Sequence, residues 1–178
     1  MEVSTETEQA SPLSRFLAGL QAGMMAVIVM LGWLGLSAIW QRHTFWREPN
    51  NMATLFRGGA AVTSGFGSYT PSGIAVYVVA YSLLGATFAV LMPRRLTVFG
   101  LMLSGVLVAL AWYLLWFRVL GKSLMPLVWL LHAERPMVFA HVLFGVMLAR
   151  FPVYIHSAQP KPATPVPTQS SLPPDPVS

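Results

Sequence analysis

Residues 16–40 read FLAGLQAGMMAVIVMLGWLGLSAIW, twenty-five positions without a charge. As an α-helix rising about 1.5 Å per residue, this stretch reaches about 37 Å, more than the roughly 30 Å hydrocarbon core of a bilayer. A helix with one wet face interleaves polar residues every two or three positions, and this one does not. Its Leu, Ile, Val and Phe residues together favour insertion by about 3–6 kcal/mol. The segment is too long for the core of a signal peptide. Before Arg15 the chain carries Glu2, Glu6 and Glu8 and no basic residue, the reverse of a leader's positive start. It reads as a retained membrane anchor.

The rest of the chain repeats the pattern. Residues 73–92 are uncharged and stop at Pro93-Arg94-Arg95, a helix breaker followed by two charges suited to lipid headgroups. Residues 96–117 form a third uncharged block, and so short a connection predicts an antiparallel hairpin between the two. In the fourth block only Met137 to Ala149 is free of charge. Snorkelling of Arg150 extends it to about residue 155; the alternative is a three-span chain whose last segment is re-entrant or interfacial. With 55% hydrophobic and 10% charged residues, against roughly 25% charged in soluble domains, the expected fold is all-α. It is an integral membrane bundle of four transmembrane helices, spanning about 16–40, 73–92, 96–117 and 137–155. Residues 1–15 and 156–178 are expected to be disordered tails; the second holds seven prolines from Ser157 onward and the PxxP string Pro162 to Pro165.

Four crossings place the connections 41–72 and 118–136 on one face and both termini on the other. The first connection contains Pro49-Asn50-Asn51 before Met52 to Phe56, the pattern of a short interfacial helix with an asparagine cap. Glu48 and Glu134 are the only acids on this face, each beside an arginine, and read as solvated surface charge. All six tryptophans, Trp33, Trp40, Trp46, Trp112, Trp116 and Trp129, fall on this loop side, as an aromatic belt at the headgroups requires. Density of arginine near the span ends, at Arg15, Arg94, Arg95 and Arg150, places the termini in the cytoplasm.

The spans pair small residues four apart: Gly19 with Gly23, Gly85 with Ala89, Gly105 with Ala109, and Gly145 with Ala149. Small side chains let helix backbones approach closely where lipid offers no hydrophobic drive to associate. No Asp or Glu lies within a span, which counts against an ion-coupled carrier. Gln21 reads as a hydrogen-bonding contact to a neighbouring helix. His141 lies on the small-residue stripe of the fourth span, facing the bundle and requiring a hydrogen-bond partner. It is the one candidate cofactor-binding residue. A haem there needs a second axial ligand, and His43 and His132 are the histidines on the same face, whereas His156 lies on the other. The chain has no cysteine, hence no thiolate metal site or iron–sulfur cluster. No nucleophile–base pair, phosphate loop or zinc-protease motif occurs, and Gly65-Phe66-Gly67 lacks the third glycine of a dinucleotide fingerprint. The basic residues are scattered at span ends and form no stripe for nucleic acid.

The stretch Ala18 to Ala26 (AGLQAGMMA), Phe45-Trp46-Arg47-Glu48-Pro49-Asn50-Asn51 and Phe139-Ala140-His141-Val142-Leu143-Phe144-Gly145 together resemble a group of small uncharacterised bacterial four-span membrane proteins. Their shared marks are a glycine-rich first helix, an aromatic-x-x-Pro-Asn loop and a late His-x-x-Phe-Gly. The likeness covers about residues 16–150 and implies no activity; Arg47-Glu48 is more charged than that pattern. The expectation is a non-enzymatic structural or interaction subunit of the bacterial cytoplasmic membrane, with no catalytic residue, metal or cofactor. Its partners are the bilayer and a second copy or another membrane protein, and not nucleic acid. A small haem- or quinone-binding redox subunit and a small channel or carrier are the alternatives.

Overall fold

A computed structural model describes residues 11–62, 65–93 and 95–157, and among these every regular element is helical. Helix α1 (Pro12–Trp40) begins earlier than its apolar block. Ser11 caps it by accepting from the Ser14 amide at 3.1 Å, and Pro12 sits in the first turn, where its missing N–H costs nothing. Residues 12–15 therefore belong to the helix and not to a tail. The remainder of that expected tail, and the proline-rich string near the C-terminus, lie outside the described residues.

Helix α2 (Arg47–Arg57) leads through a 3-10 turn at Gly58–Ala61 to α3 (Thr70–Leu91). Helix α4 (Val98–Tyr113), capped by Thr97, runs through a π-helical turn at Leu114–Leu120 into α5 (Gly121–Leu124), making one rod. Then come α6 (Pro126–Leu131), α7 (Glu134–Leu148) and α8 (Phe151–Ser157). Among the described residues, three helices are long and apolar enough to cross a membrane: Pro12–Trp40, Thr70–Leu91 and Val98–Leu124. The fourth expected span is divided. Helix α7 has 15 residues, about 22 Å, and the chain turns at Ala149–Arg150 before α8. Pro152 explains the break, since it has no N–H for the carbonyl of Leu148 and its ring crowds the preceding turn.

Helix α1 is the hub: α3 and α7 pack along it, α4 packs on α7, α2 on α3, and α8 returns to α1. Although a short turn joins α3 to α4, the two barely approach each other. They are consecutive helices but not the packed hairpin that the turn suggested. The reason lies in the small residues. A methyl group on Gly19 would meet Ala89 Cβ and the Gly85 carbonyl oxygen at 2.5 Å, and one on Gly145 would meet Val106 Cα at 2.5 Å and the Gly105 oxygen at 2.6 Å. The Gly/Ala stripes thus form two close seams, α1 with α3 and α4 with α7, and none joins α3 to α4. Gln21 is exposed on α1 and contributes to neither seam.

On the rod of α4, the buried residues Leu101, Gly105, Ala109, Tyr113, Phe117 and Gly121 recur every fourth position. In an α-helix that spacing drifts about 40° per step around the axis. The wider π turn counters the drift, keeping Tyr113 and Phe117 on the same inner face as Gly105. Gly145→Ala is expected to lower thermal stability in detergent by about 1–3 kcal/mol, because neither backbone can withdraw. Gly32→Ala, where nothing lies within 4 Å, is expected to be neutral or slightly stabilising; equal losses in both variants would contradict the seam.

Candidate functional site

His141 is completely buried on α7, one turn from Met137 and one from Gly145. Its Nδ1 lies 2.7 Å from the Met137 carbonyl oxygen. A carbonyl only accepts, so Nδ1 carries the proton and Nε2 presents a lone pair. The Tyr81 hydroxyl of α3 lies 2.7 Å from Nε2 and donates to it. The imidazole is neutral with both nitrogens satisfied, which is the partner that burial demanded.

Aromatic rings surround this pair. Tyr81 and Tyr113 flank His141 with ring centroids at 5.5 and 5.1 Å, Phe144 meets Tyr81 edge-on at 5.0 Å, and Tyr77 stacks on Tyr81 at 5.7 Å. The π turn delivers Phe117, which packs on both His141 and His132 at 6.2 and 4.9 Å. His132, expected outside the core, thus joins the same cluster through residues of α4. His43 does not; it is exposed at the corner between α1 and α2. The side chain of His156 lies outside the described residues.

At the loop-side end of the cluster His132 Nε2 is buried with no hydrogen-bond partner among the described residues, and the buried Tyr113 hydroxyl has only the Arg118 guanidinium near it. His132 Nδ1 lies 2.6 Å from the Trp129 carbonyl oxygen and so carries the proton, leaving Nε2 an acceptor. A guest there must donate to His132, as water or an alcohol does; a quinone carbonyl, which only accepts, is matched by Tyr113 and not by His132. Periodicity in the sequence would have placed Tyr113 on the inner face, but nothing in it signalled the return of His132. Among the described residues, no three of His, Cys, Asp and Glu converge as a metal site.

Helix α2 corrects two expectations. It starts at Arg47, so Asn50 and Asn51 lie inside it and do not cap it, and every residue from Glu48 to Thr54 is buried. The helix is packed into the bundle and not laid along the surface; Gly73 of α3 accepts the Pro49 carbonyl against its bare Cα. Its polar groups are tied inward. Asn50 Nδ2 donates to the Gly65 oxygen at 2.9 Å and its Oδ1 accepts from Thr70 at 2.6 Å, pinning the irregular segment to the start of α3. Arg47 and Asn51 both donate to the Leu131 oxygen, at 3.2 and 3.3 Å, closing the end of α6.

Glu48, expected as surface charge, is 3% exposed. Burial pushes its carboxyl from 4.5 up to about 7, against the opposing pull of Arg47, Asn51 and the Ala133 backbone. The other acid fits its expectation: Glu134 is exposed and ion-paired with Arg118, tying the π turn to the start of α7.

No protein-family model matches this chain, and it matches no curated protein and no solved structure.

Tyr81→Phe removes the donor to His141 and leaves Nε2 buried and unpaired, so it is expected to cost about 1–3 kcal/mol in thermal unfolding. An unchanged midpoint would deny the bond its structural role. For Glu48 the native state holds the proton more tightly than the unfolded chain. Its contribution is therefore complete below about 4.5 and is lost as pH rises to about 7. Glu48→Gln is expected to match the parent at pH 4.5 and exceed it in thermal stability at pH 8; parallel pH profiles would refute the burial effect.

Proposed function

We propose that this is a four-crossing, non-enzymatic structural or interaction subunit of the bacterial cytoplasmic membrane, with both termini in the cytoplasm. The observation that carries this reading is the closed state of His141, whose two ring nitrogens are both engaged by the chain itself, at 2.7 Å from the Met137 oxygen and 2.7 Å from the Tyr81 hydroxyl. The one imidazole at the centre of the helices acts as a strut, and a haem could take it only by displacing Tyr81. Helix α7 with α8 supplies the fourth crossing, with Arg150 at the break reaching the headgroups. Met137, Ala140, Phe144 and Leu148 are fully buried while Phe139 is exposed, so other helices cover one face of α7 and leave the opposite face for lipid. The resemblance to small bacterial four-span proteins agrees with this arrangement.

The partner face is the outer side of α4. The Val98–Leu124 rod is 22% buried in its most apolar window, against 44% and 39% for α1 and α3, and it presents Leu103, Leu107 and Leu114 outward. Because the chain lacks cysteine, single-cysteine variants report cleanly. Leu103→Cys and Leu107→Cys are expected to cross-link in native membranes to one protein of defined mass, a second copy or another membrane protein, whereas the buried Ala109→Cys does not. Ser11→Cys and Ser170→Cys are expected to be labelled by an impermeant thiol reagent from the same side, the cytoplasmic one. An α4 face that yields only monomer would overturn the interaction role, and labelling from opposite sides would overturn the fourth crossing.

A further inference from the structure

The corner where α1 meets α2 carries an arginine in a position that ordinarily takes glycine. Past Trp40 the Arg42 amide donates to Ile39 O at 2.9 Å and the His43 amide to Ala38 O at 2.9 Å, the paired bonds of a helix C-cap whose pivot residue is left-handed. That pivot is Arg42, at φ +60°, and among the described residues it is the sole non-glycine residue with positive φ. Glycine accepts this conformation without strain and a side chain does not. An arginine held there is explained by what its guanidinium meets.

It meets a basic cavity. Arg42, His43, Arg47 and Asn51 line a space of about 490 Å³, closed on the far side by Leu131. Arg42 makes no ion pair among the described residues, and Arg47 approaches the buried Glu48 no closer than 4.0 Å. With its pKa raised to about 7, that carboxyl is only partly ionised near neutral pH, so it compensates Arg47 in part, and no ion pair among the described residues compensates Arg42. Directly before it along the chain lies a second cavity of about 410 Å³ with an almost wholly apolar lining, formed by Trp33, Leu36, Trp40 and Pro136. Along the chain the lining of the apolar cavity ends at Gln41 and that of the basic one begins at Arg42; across from them stand Pro136 in the first turn of α7 and Leu131 at the end of α6. Trp33 Nε1 donates to the Pro136 oxygen at 3.1 Å and its ring packs at a tilt against Phe139 at 4.6 Å, so the apolar slot has a fixed side.

We propose that this cleft binds an anionic phospholipid, with the phosphate between Arg42 and Arg47 and an acyl chain along Trp33, Leu36 and Trp40. Charge complementarity selects the headgroup, since paired guanidinium groups hold phosphate oxygens through charge-assisted bonds. The adjoining apolar slot selects a lipid over a soluble phosphate. Its position, at the tryptophan-rich end of a membrane-crossing helix, is where such headgroups lie.

The full-length protein, delipidated in neutral detergent, is titrated with dioleoylphosphatidylglycerol, dioleoylphosphatidylcholine and inorganic phosphate, and read by native mass spectrometry and thermal unfolding. Phosphatidylglycerol is expected to bind as discrete adducts and raise Tm, at least about tenfold more tightly than phosphatidylcholine, while inorganic phosphate leaves Tm unchanged. Arg42→Gly relieves the backbone strain, so its lipid-free Tm is expected to equal or exceed the parent's while phosphatidylglycerol affinity falls about tenfold. Trp40→Ala weakens lipid binding, and Lys122→Gln, a basic residue elsewhere on this face, does not. Equal binding of the two lipids, full affinity in Arg42→Gly, or an equal loss in Lys122→Gln would overturn the site. Stabilisation by inorganic phosphate alone would overturn the lipid as its occupant.

Discussion

A polar side chain among apolar helices must find its partner within the chain, because hydrocarbon offers none. His141 meets that constraint twice, donating from Nδ1 to the Met137 oxygen and accepting at Nε2 from the Tyr81 hydroxyl. The second of these bonds joins α3 to α7, helices whose backbones scarcely approach each other. On either side of it the glycine seams draw α1 onto α3 and α4 onto α7. Because α7 also packs along α1, the wider interior lies between α3 and the α4–α7 pair, and rings of Tyr77, Tyr113, Phe117 and Phe144 fill it. Small residues set the near distances, large ones the far distance, and the histidine–tyrosine bond fixes the register between the two.

The loop side is organised by the same logic at a second level. Helix α2 buries Glu48, Asn50 and Asn51 without a wet face, and each is answered by a backbone carbonyl, amide or hydroxyl from a distant segment. Asn50 holds the Gly65–Gly67 region and Thr70; Asn51 and Arg47 hold Leu131. What reads in sequence as an irregular connection is, over its described residues, tied by these bonds to α3 and α6, and Arg42 and Arg47 line one cavity there.

Much of this was legible in the chain and some of it was not, for identifiable reasons. Long uncharged blocks announce helices that suit a bilayer because the signal is local: length, apolarity and the charge that ends it. The small-residue pairs and the inward face of His141 follow from helical spacing alone, and the structure seats Gly19, Gly23, Gly85, Gly105 and Gly145 in the expected seams. Long-range closure is what spacing cannot express. Glu48 looked solvent-facing, and Asn50 looked like the cap of an interfacial helix, because the groups that bury them, from α3 and the α6–α7 connection, lie far along the chain. His132 looked like a loop residue because the π turn that swings Phe117 against it leaves no compositional mark. The break at Ala149–Arg150 was readable in Pro152, but the apolar run continuing to Ile155 masked it.

The account rests on His141 as a satisfied neutral strut, and nitrogen-15 NMR of the imidazole in bilayers tests it most directly. With selectively labelled histidine and a His141→Gln variant for assignment, His141 is expected as the neutral Nδ1–H tautomer, with Nε2 shifted by the hydrogen bond from Tyr81 and that shift lost in Tyr81→Phe. An Nε2–H tautomer, an imidazolium, or a signal indifferent to Tyr81 would contradict it.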